Sequence, residues 1–349
     1  MEGQINIAVV GGGWVTENRH LPALRKEKRV FLRTLISKDK KRVEFLKKRF
    51  SIENCFSVEE IEWQKALQDC DAVVIGSDPF SHYAIAKQAL LLGKHVLMEK
   101  PLTLSIQEST ELVDLAREKR LQFAVVHNFQ FSEASRALKE DVEKGVLGEI
   151  QLLEAKQYSN EKRRLPIWYE ELPWGLFYDE SPHLLYLLEM VGGKQMLQHS
   201  QVVFRSGVST PSLVEGVLKG EAGPPSLLSM NFSASLSEWF LIVHGSKRTG
   251  ILDIFRDIYF SLPNDGRHAP GAILQTSWHA FLGHFKGVLK SGMKVLKRDY
   301  LCGNEEVVKI FIDAILGKRS LGAIDASNGL RINALQHEIM ERSIRIAEV

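Results

Sequence analysis

Residues Ile5–Val10 (INIAVV) form an apolar run of strand length, and Gly11-Gly12-Gly13 follows before a helical pattern that begins near Trp14. No other feature restricts the fold as much. A strand without polar alternation is buried on both faces, which belongs to a parallel sheet covered by helices. A glycine turn between such a strand and a helix lets backbone approach a ligand, and the helix start offers N–H groups to negative charge. That arrangement suits a dinucleotide pyrophosphate.

The same alternation runs on. Val30–Ser37 is a second strand, followed by a basic helix over Lys40–Phe50, and Ser57–Gln68 carries a helical pattern. Asp71–Ile75 (DAVVI) is an apolar strand, Ser81–Leu92 a helix ended by Gly93, His95–Met98 a strand, Ser105–Lys119 a helix and Gln122–Val126 a strand. Strands alternating with helices predict an α/β domain, a doubly wound parallel Rossmann sheet, over residues 1–126.

The remainder, residues 127–349, reads as an α+β domain. After a helix over Ser132–Lys144 come Ile150–Tyr158, Val202–Arg205, Leu213–Lys219, Ser226–Ser233, Phe240–Gly245 and Gly250–Phe255, short segments separated by Gly, Pro and Ser. They predict a mostly antiparallel open sheet, with Ser181–Val191 as a helix among the strands. A closing helix pair, Asn304–Leu316 and Ala326–Ile346, is expected to return to the first domain; Leu262–Gly292 carries no clear pattern.

Composition excludes several classes. A chain of 349 residues holds two cores, and a net charge of +2 gives no electrostatic reason to bind nucleic acid. Cys55, Cys70 and Cys302 fit neither a zinc site nor a disulfide framework, so no metal is expected and the thiols read as reduced. With no leader pattern and no apolar stretch of membrane length, the expectation is a cytoplasmic protein with no membrane partner.

The glycine loop reads Gly11-Gly12-Gly13-Trp14-Val15-Thr16. Against G-x-G-x-x-G, Gly11 and Gly13 match and Thr16 stands at the third glycine, which mainly serves close helix–strand packing. Gly11, Gly13, Trp14 and Val15 are the expected cofactor contacts here. An NAD enzyme usually carries Asp or Glu at the end of the second strand, for the ribose 2′-hydroxyl. This chain has Ser37 and Lys38 there, with Arg42 one turn on, a set suited to a 2′-phosphate. Asp39 is the competing candidate, so the pattern favours NADP with NAD as the alternative. The wider basic cluster from Lys38 to Arg49 reads mainly as a solvated helix face.

Two further motifs carry chemistry. The run His95–Met98 ends in Glu99-Lys100-Pro101, and a lysine at the carboxyl end of a parallel strand points into the ligand crevice. Asp179-Glu180-Ser181-Pro182-His183 precedes an apolar run, and Pro182 predicts a helix beginning at or just before Ser181. That places Asp179 and His183 at a helix N-terminus, where the dipole disfavours an imidazolium and leaves a neutral base. The alternative is a capping Asp and a structural His.

In these motifs the chain resembles the Gfo/Idh/MocA family of sugar and cyclitol oxidoreductases. The resemblance rests on His20-Leu21-Pro22-Ala23-Leu24, Asp71–Ile75 with Pro79-Phe80-Ser81-His82-Tyr83, Gly93-Lys94-His95-Val96-Leu97-Met98-Glu99-Lys100-Pro101-Leu102, Asn128-Phe129-Gln130-Phe131 and Asp179-x-x-x-His183. It implies a Rossmann domain and an α+β domain whose open sheet mediates a homodimer or homotetramer. It implies Lys100, Asp179 and His183 as the catalytic set, with Ser77, Asp78, Pro79, His82, Glu99 and Asn128 lining the cofactor. The Lys100–Pro101 bond is often cis in such proteins. Thr16, Ser77-Asp78 and Gln130 depart from the common family pattern.

The activity so implied is hydride transfer between nicotinamide C4 and a secondary alcohol or ketone of a sugar, nucleotide-sugar or cyclitol. Alternatives on the same fold are an NAD(P)-binding sensor without turnover and an NAD-dependent glycosidase. Tyr158, Trp168, Tyr169, Trp174 and Tyr178 are candidates to face a sugar ring, or else core; Lys162, Arg163 and Arg164 are candidates for a substrate phosphate, or else a solvated loop.

Overall fold

The computed structural model describes residues 4–58, 62–221, 223–266, 268–296 and 302–346. The chain divides into two compact units, one of Met1–Asn128 with Gly303–Ala334 and one of Phe129–Cys302 with Leu335–Val349. In the first, β1 (Ile5–Val10), β2 (Val30–Ser37), β3 (Asn54–Ser57), β4 (Ala72–Ile75), β5 (His95–Met98) and β6 (Phe123–Val125) form one sheet. Its order is β3-β2-β1-β4-β5-β6 and every pairing is parallel. Helices α1 (Leu21–Lys26), α2 (Lys40–Phe50), α3 (Trp63–Leu67), α4 (Pro79–Leu91) and α5 (Ile106–Glu118) connect the strands. Val10, Val73, Ile75, Val96 and Met98 are buried and pack with Ala86, Leu90 and Leu112. The order reverses between β1 and β4, the switch point where ligands of such sheets bind.

Two local features differ from expectation here. Asn54–Ser57, of which only Ser57 fell in the expected helix, is an edge strand; it pairs with Thr34–Ser37 of β2. Its sequence, NCFS, has no apolar alternation, so the neighbouring strand decides its state. The helix that follows is short, Trp63–Leu67, and residues 59–61 of the expected helix lie outside the described residues. Beyond the glycine loop, Thr16–His20 is a π-helical turn ahead of α1.

In the second unit α6 (Glu133–Glu143) precedes β7 (Ile150–Asn160), α7 (Leu176–Gly192), and then β8 (Gln195–Val203), β9 (Leu213–Gly220), β10 (Pro225–Ala234), β11 (Glu238–Gly245), β12 (Arg248–Asp253) and β13 (Ile258–Pro263). A 27-residue helix, α8 (Pro270–Leu296), crosses the segment that carried no clear sequence pattern. Near the C-terminus stand α9 (Asn304–Ile315), α10 (Ala326–Arg342) and β14 (Ile344–Ile346). The sheet has eight strands in the order β13-β12-β11-β7-β10-β9-β8-β14. Its pairings are antiparallel except β7 with β10 and β14 with β8. Along β7, Leu153, Ala155, Gln157 and Ser159 are buried towards α7, while Glu154, Lys156 and Tyr158 face the open side.

α9 and the first residues of α10 belong to the first unit: Arg29 Nη1 lies 2.6 Å from Asp313 Oδ1, and Ser109 Oγ donates to Asn333 Oδ1 at 2.9 Å. The expected helix over Ala326–Ile346 ends at Arg342, because Ile344–Ile346 pairs with Gln201–Val203 of β8. No helix among the described residues is long and apolar enough to cross a membrane.

Candidate active site

In the first unit the strand ends bring one set of residues to one edge. Gly11, Gly76 and Glu99 donate their backbone N–H groups to Ile36, Val10 and Ile75, so the turns after β1, β4 and β5 follow one another across the sheet. Gly11 has φ of +100°, and a Cβ there would stand 2.6 Å from the Gly76 and Ser77 backbone. Only glycine fits. A Cβ on Gly13 would meet nothing within 4 Å, which leaves that position open to a ligand. Thr16 is fully buried, and a Cβ on Gly76 would stand 2.6 Å from its Oγ1. The bare Gly76 makes room for the hydroxyl where the usual third glycine is absent.

Glu99 faces His20, with Oε1 3.0 Å from Nε2. Burial alone would raise the Glu99 carboxyl, but the hydrogen bond from His20, with the charges of His20, Lys100 and His82, outweighs it and holds the group below its ordinary range. Lys100 follows at the strand end, its backbone N–H 3.2 Å from Glu99 Oε2, and the Lys100–Pro101 bond is cis. His82 is fully buried, with Nδ1 2.9 Å from Pro101 O and Nε2 3.3 Å from Ser77 O. Its ring therefore ties the turn after β4 to the turn after β5. Pro79 is likewise buried at the start of α4, whereas Ser77 and Asp78 are half-buried beside it.

At the end of β2, Ser37 lies under Gly12, whose Cβ would stand 2.9 Å from the hydroxyl. Lys38 is 74% exposed with Nζ 3.6 Å from Asp78 Oδ2. Asp39 caps α2, its Oδ1 accepting from the Arg42 N–H at 3.0 Å. The Arg42 guanidinium donates to Gly12 O at 2.9 Å and pairs with Glu17, which also meets Arg49.

The second unit holds the other residues expected to be catalytic, Asp179 and His183. Gly175, at φ +51°, starts α7, and Thr210 Oγ1 accepts from the Leu176 N–H at 3.0 Å. The helix thus begins more than a turn before the expected Ser181, and Pro182 lies inside it. Asp179 is in the first turn; His183 lies two turns in, beyond the reach of the end dipole. Both are buried, and their i, i+4 spacing puts them on one face. His183 Nδ1 is 2.8 Å from Tyr186 Oη, which accepts from the Phe129 N–H at 3.1 Å. The rings of Phe129 and Trp239 stand 4.8 and 5.5 Å from His183. Glu180, also buried, pairs with Arg163 and accepts from Gln157.

Residues 5–127 match the family described as an oxidoreductase family with an NAD-binding Rossmann fold, Gfo/Idh/MocA. Over these residues the chain is similar to that family. An uncharacterised oxidoreductase of Synechocystis sp. is 35% identical over 149 residues, 43% of this chain and 39% of that protein, so the match spans about two-fifths of that relative's length. A dTDP-3,4-didehydro-2,6-dideoxy-alpha-D-glucose 3-reductase of Streptomyces violaceoruber is 27% identical over 63% of this chain and 64% of its own. Among solved structures, a variant of a 3-ketoreductase from Actinomadura kijaniata in complex with TDP-benzene and NADP has the same fold. Its TM-score is 0.76 at 18% identity, over 99% of this chain and 100% of that one.

The first unit gathers Gly11, Gly13, Ser37, Ser77, Glu99 and Lys100 along one edge. Trp14 and Val15 are exposed after the loop, with Arg19 over the Trp14 ring at 5.3 Å, and Asn128 is buried past β6. Tyr178 is core and bonds His337, Trp174 packs on Phe177 and Phe204, and Tyr158 faces the open side of its sheet. Arg163 is committed to Glu180. Phe129, Tyr186 and Trp239 around His183 were not singled out as site residues from the sequence, Phe129 entering only within the Asn128–Phe131 motif, since they come from three separate elements. Tyr186, at i+3 from His183 on the same helix, was the one that spacing could have found.

Proposed function

We propose that this protein transfers hydride reversibly between C4 of a nicotinamide cofactor and a secondary carbinol or ketone of a sugar, nucleotide-sugar or cyclitol. The observation that carries the reading is the strand edge itself. Gly11 is packed against Gly76–Ser77 at the switch point, Gly13 is open, and Glu99-Lys100 stands at the next strand end. This edge fits a dinucleotide: no side chain fills the space over Gly13, and the backbone can approach a pyrophosphate.

Gly11, Gly13, Trp14 and Val15 would hold the pyrophosphate, with Ser77, Asp78 and Asn128 beside it. When bound, the nicotinamide supplies the hydride acceptor or donor. Lys100 hydrogen-bonds the reacting oxygen and stabilises negative charge as it develops there. His183 takes the hydroxyl proton in oxidation and returns it in reduction, with its ring held by Tyr186, Phe129 and Trp239. Asp179, one turn from His183, orients substrate hydroxyls.

For the cofactor we favour NADP. Asp39, the acidic competitor, spends its carboxylate on capping α2, while Ser37 and the exposed Lys38 remain for a 2′-phosphate. Arg42 can assist only by leaving Glu17. The open face of the eight-stranded sheet, where Tyr158, Val217 and Leu227 are exposed, suits assembly between copies.

A fluorescence titration of the purified protein with NADPH and NADH side by side tests this. Binding of either supports the first unit's role and the preference tests Ser37 and Lys38; absence of both overturns the oxidoreductase reading.

A further inference from the structure

Helix α8 carries a surface that the catalytic reading does not use. Ten of its large apolar side chains are between 43% and 85% exposed, and Ser291 is its single buried residue among those described. The helix is seated on β13 through small residues: a Cβ on Gly283 would stand 2.5 Å from Phe260, and one on Gly287 would stand 2.4 Å from Ile258. Half a turn away, Leu274, Trp278, Phe281, Phe285, Val288 and Val295 form a line, with Gly292 completing steps of four and three residues. At 100° per residue that line points directly away from β13. It contains no charged residue. Trp278 stacks on Phe281 at 5.5 Å and Phe281 on Phe285 at 6.0 Å, making a continuous aromatic ridge.

The spacing and the charge say what covers it. A 4-3 apolar repeat on a helix is the seam of paired helices, and two copies of one helix are complementary by symmetry. The exposed apolar area is on the order of 800 Å², what one partner contributes to a standard interface and more than a monomer usually leaves bare. A membrane surface would instead need free cations beside the apolar face. Here Lys290 lies 3.2 Å from Glu133, and Lys294 lies 2.9 Å from Asp257 and also pairs with Glu133, which leaves Lys286 as the one described α8 lysine without a carboxylate partner, too few for a basic membrane-binding face. Beside the helix a groove of about 680 Å³, lined by His284, Phe240, Ile251 and Phe260, extends the apolar surface onto the sheet.

We infer that α8 of one copy pairs along this seam with α8 of a second copy of this chain, joining two subunits through a helix that lies against the open side of the sheet at its β13 edge. The inference is independent of the proposed activity.

The test is light scattering on the full-length protein and on Phe281→Glu/Phe285→Glu. The expected result is a wild-type dimer or tetramer and a variant of half that mass; a monomeric wild type or an unchanged mass overturns the pairing. Phe285→Cys, at the middle of the seam, meets its own copy in either direction of pairing. On mild oxidation it should give a disulfide-linked dimer that the wild type, with Cys55, Cys70 and Cys302, does not. Absence of that product overturns the pairing even where the charged variant fails to fold. Flotation of the wild type, but not the variant, with phosphatidylcholine–phosphatidylserine vesicles would identify a membrane as the occupant and overturn it as well.

Discussion

Gln336 Nε2 donates to the carbonyl oxygen of Tyr178 at 2.7 Å, the oxygen that Pro182 leaves without its helical partner. The same amide reaches Ser181 Oγ at 2.8 Å, and Gln336 is fully buried. A proline in the seventh position of α7 is therefore accommodated by a side chain from α10. Replacing Gln336 with Leu strands the Tyr178 carbonyl and should lower stability by about 1–3 kcal/mol in urea unfolding. Pro182→Ala restores the backbone donor, so the double variant should recover part of the loss; equal losses in Gln336→Leu with and without Pro182→Ala would reject the account.

Lys100→Ala should lower kcat by roughly two to four powers of ten while cofactor affinity stays within about tenfold, since its proposed role is confined to the transition state. Steady-state kinetics beside a direct binding titration separates the two. Full turnover in this variant removes the mechanism.

Tyr186→Phe removes the hydroxyl that stands 2.8 Å from His183 Nδ1 and leaves the ring packing. Loss of that orienting bond should lower kcat by about tenfold to a hundredfold and displace the pH–rate profile, with cofactor binding unchanged. A purely structural tyrosine would change the melting temperature and leave the pH profile in place.

Lys38→Ala should weaken NADPH more than NADH, because Lys38 is the exposed cation at the end of β2. Side-by-side titrations read the difference. Equal loss for both cofactors would assign the ribose contact to another residue.

Stability should fall with acid well before the carboxylates titrate. Burial pushes the His127 ring down to about 3, against an ordinary value of 6.5, with Arg331 acting in the same direction. Burial lowers His82 and His95 too. For a depressed imidazole the unfolded chain takes the proton first, so stability is complete above pH 6.5 and declines as pH falls toward the folded value. Each such ring contributes a slope of up to about 1.4 kcal/mol per pH unit. Glu99, also held down, adds its loss only below its ordinary 4.5. Urea midpoints between pH 7 and 5 should drop for the wild type and drop less for His127→Gln.

The first unit was legible because its information is local. Ile5–Val10, Val30–Ser37 and His95–Met98 announce buried parallel strands by apolar content alone, and the sheet contains them within those bounds. Where the deciding contact was distant, reading by pattern failed. The NCFS of β3 becomes a strand because β2 lies beside it, Ile344–Ile346 leaves the helical state to pair with β8, and α7 starts early because Thr210 satisfies its first N–H.

By itself the sequence determined the strand–glycine–helix opening, the placing of lysine after Glu99, and the i, i+4 spacing of Asp179 and His183, since each follows from neighbours along the chain. Tertiary structure alone decided that Asp39 is a cap, that His82 is a strut, that Arg163 answers Glu180, and that Phe129, Tyr186 and Trp239 enclose His183. These roles depend on which polar group finds a partner once water is excluded, and those partners come from segments far apart in the chain.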